Sequence, residues 1–139
     1  MKFMLLIYIE PLLMDALPPG TTDQMLRECF AHTEVLEREG VLLESQMLGP
    51  AAAAKSLRVR KGRSYATDGP FAEAKEVLGG FNLIEAADME EALRIASEFP
   101  WTAVGCVEVR PVEELDDVRR RVGHVPAAVA RSSIAEEAL

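Results

Sequence analysis

The sequence predicts an α+β fold in the order β-α-β-β-α-β with one additional hairpin, and three observations carry that reading. Two stretches, residues 26–36 and 89–99, repeat apolar residues at helical spacing, and each is followed by a short apolar run that suits a strand. The chain opens on residues 3–9, apolar at every position, as expected of a strand covered on both faces. Between the two helical stripes, Leu57 and Val59 alternate with Arg58 and Arg60 before Lys61-Gly62, the pattern of a hairpin closed by glycine.

After the first strand, residues 11–20 read as a loop closed by Pro18-Pro19-Gly20. Thr21 with Gln24 three positions on has the form of a capping box, and Leu26, Cys29, Phe30, Thr33 and Leu36 form an apolar stripe that stops at Gly40. Residues 41–45 restart as a strand until Gly49-Pro50 breaks it. The four alanines at 51–54 favour helix by propensity, but Pro50 and the strand pattern beyond make them a connector. The hairpin follows, with its arginine side expected to face solvent. Residues 81–86 form a further strand, and Asp88 with Glu91 caps a second helix whose apolar positions are Met89, Ala92, Leu93, Ala96 and Phe99. Pro100 ends it, and residues 104–109 complete the sheet. This is a ferredoxin-like plan with both helices on one face. The other face of so apolar a sheet has no cover inside the chain, so a homodimer is expected.

Size and charge narrow the function. At 139 residues the chain fits one domain, which buries roughly 68% of its unfolded surface. Hydrophobic residues at 49% and charged ones at 27% exclude disorder across the whole chain. A net charge of -8 and a pI near 4.8 lack the footprint of a direct nucleic-acid binder and predict repulsion from anionic lipid. Arg119-Arg120-Arg121 points in three directions on a helix and reads as a solvated end. No apolar run is long enough to span a bilayer, and Met1-Lys2 leads directly into a strand, so no membrane association and a cytoplasmic location are expected. Cys29 and Cys106 lie far apart among apolar neighbours and read as buried packing residues. With no phosphate loop, paired-histidine helix or nucleophile elbow, neither a metal nor another cofactor is expected.

One stretch is more specific than the rest: Asp68-Gly69-Pro70-Phe71-Ala72-Glu73-Ala74-Lys75-Glu76-Val77-Leu78-Gly79-Gly80-Phe81. Asp-Gly is a turn pair, and Gly69-Pro70 fixes an extended bend. Phe71 is placed to pin that corner, and Gly79-Gly80 marks a close backbone approach or a bulge. The stretch resembles the signature of the YCII-related family in its DGPF subgroup. The resemblance covers residues 1–112 and implies a dimeric α+β barrel with two sheets packed face to face. Residues 113–139 lie outside it and read as a C-terminal helical extension, with Leu115, Val118 and Val122 at helical spacing. The subgroup is associated with transcription-initiation sigma factors of the extracytoplasmic type, which implies a sigma-factor partner.

Asp68 is the leading catalytic candidate. A carboxylate on a rigid turn beside a large apolar residue is set up for partial desolvation, which suits proton transfer. An aspartate before glycine also commonly braces its own turn, and both roles stay open. The wider family is known for a histidine and aspartate pair proposed as an acid–base site. Asp68 matches the motif. His32 is the histidine inside the family-like region, at the border of the helical stripe and one turn from Glu28, although no motif places it in that pair. Phe71, Glu73, Lys75 and Tyr8 are the candidate substrate-binding residues. Charged side chains on a loop are also commonly just solvated, and Tyr8 suits packing with a polar tip. Arg58, Arg60 and Arg63 suit an anion only if the hairpin folds over the site. Two functions follow: a small dimeric enzyme doing acid–base chemistry on a compact organic substrate, or a non-catalytic module that binds a small molecule or a protein.

Overall fold

Along β1 (Lys2–Ile9) the even spacing of side chains divides the strand into two apolar rows, and the two rows meet different fates. Phe3, Leu5 and Ile7 are buried, whereas Met4, Leu6 and Tyr8 are half-buried. The structure is a computed structural model, and it describes residues 1–69 and 74–125. After β1 come α1 (Pro11–Asp15), α2 (Thr21–Arg38), β2 (Leu42–Met47), β3 (Lys55–Arg60), β4 (Arg63–Asp68), β5 (Val77–Glu85), α3 (Met89–Ser97), β6 (Gly105–Pro111) and α4 (Leu115–Arg121). Short 3-10 turns at Ala51–Ala53 and Pro100–Ala103 complete the order. The fold is a mixed α+β fold, as the sequence predicts.

Four strands form one antiparallel sheet in the order β2-β5-β1-β6, and β3 and β4 pair separately as a two-stranded sheet. The main core fills the face of Phe3, Leu5 and Ile84. Against it α2 sets Met25, Cys29 and Leu36, and α3 sets Ala92, Ile95 and Ala96, with Phe99 and Trp101 beyond. Phe3, Leu5, Ile84 and Ile95 are 0–1% exposed, and each such side chain stabilises the fold by about 1.5–3 kcal/mol through burial. On the opposite face Met4 pairs across from Leu83 and Leu6 from Phe81, all four half-buried.

The helix ends follow local chemistry. The Asp88 carboxylate accepts the Glu91 N–H at 2.9 Å, and Glu91 Oε2 accepts the Ala87 N–H at 3.4 Å, so the cap expected at Asp88 forms. At α2 the expectation is corrected: Gly20, with φ 84°, is the N-cap, and Thr21 lies inside the helix. Gln24 therefore turns to its own face, where its amide meets Glu28 and Arg27. Residues 11–15 are a short helix rather than loop, because Pro11 sits at the first helical turn, where its missing N–H leaves nothing unpaired. The strand at 41–45 runs on to Met47, and the one at 81–86 begins already at Val77.

Exposure departs from the sequence pattern at several residues. Cys106 is exposed on β6, a correction to its expected burial, because its row lies on the face away from the helices. Ile95 takes the core position on α3, while Leu93 is 53% exposed. The β3–β4 hairpin forms around Lys61-Gly62, but its faces depart from the expected pattern: Leu57 and Val59 are exposed, and of the arginine row Arg60 and Arg63 are exposed while Arg58 is half-buried. No described helix is long and apolar enough to cross a membrane.

Candidate functional site

The site begins with two glycines. Gly80 on β5 stands opposite Ile7 of β1 and Met47 of β2, and a Cβ there would lie 2.7 Å from the Gln46 carbonyl oxygen. The close approach of β2 therefore excludes any side chain at this position. Gly79, next to it, lies at the register shift between Ile7 and Tyr8, so the glycine pair combines the close approach and the irregularity expected of it. The same absence of side chains leaves room beneath α2.

That room is a groove of about 370 Å³. Its floor is Ile7, Ile9 and residues 79–82, α2 roofs it with Leu26, Cys29 and Phe30, and residues 45–48 close one side. Trp101 stands at the base, brought in by the turn after Pro100. Phe30, Met47 and Leu48 are 53%, 64% and 43% exposed, so the rim carries exposed apolar side chains beside the polar Ser45 and Gln46. None of its described lining residues carries a charge.

Two polar groups stand out in this wall. Asn82 is 2% exposed, the one buried polar residue among the described core, and its Oδ1 has no hydrogen-bond partner among the described residues. A buried acceptor left unpaired costs about 1–3 kcal/mol. The Cys29 thiol is pushed above its ordinary 9.0 by burial, against the smaller, opposite influence of a hydrogen bond with Trp101. It therefore stays neutral, and the groove offers packing and neutral hydrogen bonding. Asn82 and Trp101 carry no motif that would single them out in the sequence; the glycine pair is the one signal of this site that does.

The residues expected to form an acid–base site lie elsewhere. Asp68 ends β4 with its side chain 85% exposed, and Lys55 Nζ meets its carboxylate at 2.5 Å. The turn beside it is held by backbone and hydroxyl instead: Gly69 N–H donates to the Ala54 carbonyl, and Ser56 Oγ donates to the Gly69 carbonyl. His32 does not pair with Glu28. Its ring meets Phe99 edge-on at 4.8 Å, and its Nε2 comes within 3.3 Å of Glu98 Oε2 without the alignment of a hydrogen bond. Asp68 and His32 thus share no partner. Lys75 is exposed and reaches Glu10 at 3.3 Å, and Tyr8 belongs to the outer row of β1. Phe71 and Glu73 lie outside the described residues. Among the described residues no cluster of three or more His, Cys, Asp or Glu side chains could hold a metal.

Comparison with known proteins matches residues 1–116 to the family described as the YCII-related domain. An uncharacterised protein of Rhizobium meliloti (strain 1021) is 33% identical over 114 residues, which cover 81% of this chain and 92% of that protein.

Proposed function

The chain belongs to the YCII-related family, and from that premise we propose that it is a small-molecule-binding module that works as a homodimer. The observation that carries this reading is the uncharged apolar groove under α2, from which both acid–base candidates are absent. General acid–base chemistry needs a titratable group within hydrogen-bond reach of the substrate. Beside its apolar walls the groove supplies the Cys29 thiol, hydroxyls of Thr22, Thr33 and Ser45 and the carboxamides of Gln46 and Asn82, none of them charged, which suits binding better than proton transfer at Asp68 or His32.

The strand order β2-β5-β1-β6, with α2 joining β1 to β2 and α3 joining β5 to β6, supports a ferredoxin-like arrangement. The half-buried row of Met4, Leu6, Phe81 and Leu83 supports a second copy packing sheet to sheet as a dimeric barrel. In this reading the chain is a cytoplasmic protein of the DGPF subgroup, and a sigma factor is the partner to which the bound state is reported. Ligand-observed NMR with a mixed set of neutral aromatic and anionic fragments tests the binding function. Neutral hits displaced by Leu26→Trp, which fills the groove, are expected. Hits confined to anions, or binding abolished by Asp68→Asn with Leu26→Trp silent, would return the site to the DGPF turn.

A further inference from the structure

The groove's chemistry can be taken one step further, to the class of molecule it holds; the step rests on the groove being the binding site. Three features of the wall constrain an occupant. Its described lining carries no charge, and an ion moved into such a site without a partner is strongly disfavoured. Phe30, Met47 and Leu48 at the rim are exposed apolar residues in the free chain, so an occupant with a flat apolar body covers surface that is otherwise wet. Asn82 Oδ1, buried in the floor strand, lacks a donor.

We propose that the groove binds a neutral aromatic or alicyclic molecule bearing one hydroxyl or N–H group, and that this donor pairs with the Asn82 carboxamide at the floor. The apolar body lies between α2 and Gly79-Gly80, against Ile7, Leu26 and Trp101. A volume of about 370 Å³ falls within the range of about 300–1,000 Å³ usual for small-molecule sites and accommodates a two-ring body. Asn82 acts as the selector. An unpaired buried acceptor discriminates strongly between a ligand that brings a donor and an isostere that does not.

The probes are 1-naphthol, naphthalene and 1-methoxynaphthalene, titrated into the full chain and followed by Trp101 fluorescence and by the Asn82 side-chain amide resonances. 1-Naphthol is expected to bind roughly tenfold more tightly than either of the others, about 1.4 kcal/mol, and to shift the Asn82 resonances. Asn82→Leu is expected to level the three affinities while keeping naphthalene binding. Because the comparison among probes is made first on the unmodified protein, it stands even where that variant folds poorly. Equal binding of all three to the unmodified protein overturns the role of Asn82 and leaves the groove as a binding site. Failure of all three to bind overturns the groove itself.

Discussion

Replacing Gly80 by alanine isolates the contact that shapes both sheet and groove. The added Cβ would sit 2.7 Å from the Gln46 carbonyl oxygen and 3.5 Å from the Met47 Cα, both backbone atoms of the paired strand β2. Neither can swing away as a side-chain tip would, so β2 must shift. Overpacking of this kind costs about 1–3 kcal/mol, and the loss of glycine freedom in the unfolded chain returns about 0.4–1 kcal/mol. The expected net loss is about 1.5 kcal/mol, or a fall of about 5 °C in Tm for a chain of this size. Gly79→Ala is the internal control, since its Cβ would meet Ile9 Cγ1 at 3.3 Å, an atom of a side chain that can yield. Urea unfolding of both variants is the assay: Gly80→Ala should lower the midpoint with an unchanged slope, and Gly79→Ala should lower it by much less. A Gly80→Ala protein as stable as the unmodified one, or more stable than Gly79→Ala, would refute the close approach of β2 as the reason for glycine.

Three further outcomes are expected. The Cys29 thiol is raised by burial, so above pH 9.0 the unfolded chain loses a proton that the folded chain keeps, and stability falls as pH rises through that range. Cys29→Ala should remove that part of the alkaline loss, which paired urea titrations at pH 8 and pH 10 would measure; identical slopes for the two proteins would count against it. Asp88→Ala should cost about 1 kcal/mol by removing the acceptor for the Glu91 N–H, while Asp88→Asn should cost much less, both read by thermal unfolding. Leu6→Lys, on the outer row of β1, should convert a dimer to monomer in light scattering with the helical circular dichroism retained. A monomeric unmodified protein would remove the case for a sheet-to-sheet interface.

Much of the architecture is legible because it rests on short-range rules. The Asp88 and Glu91 pair marks its helix start through one carboxylate and one amide three residues on, and Lys61-Gly62 marks its hairpin through local turn chemistry. Legibility fails where a residue's surroundings come from distant strands. Phe30 keeps helical spacing with Leu26 and Thr33, yet it is 53% exposed at the rim of the groove, whereas Met25 and Cys29 on the same helix are buried. Cys106 has apolar neighbours in sequence, but strand alternation turns it to the outer face. The site divides the same way. The conspicuous Asp68-Gly69 turn draws attention in a sequence, whereas a void has no residue of its own, and Asn82 matters only because nothing pairs with it.

The position of β1 carries a consequence for how the protein is made. Although first in the chain, β1 lies inside the sheet between β5 and β6, pairing Ile9 with Val77 and Phe3 with Pro111. During translation at about 5–20 residues per second, the stretch from Ile9 to Val77 takes about 3–14 s to appear, and β6 comes later still. For that interval the nascent chain carries an apolar strand with both backbone edges open, while α2 and the β3–β4 hairpin can already close their own local bonds. Such a segment is a template for pairing with other nascent chains. A chaperone that shields that strand, or wider spacing of ribosomes on the message, should therefore raise the yield of folded protein.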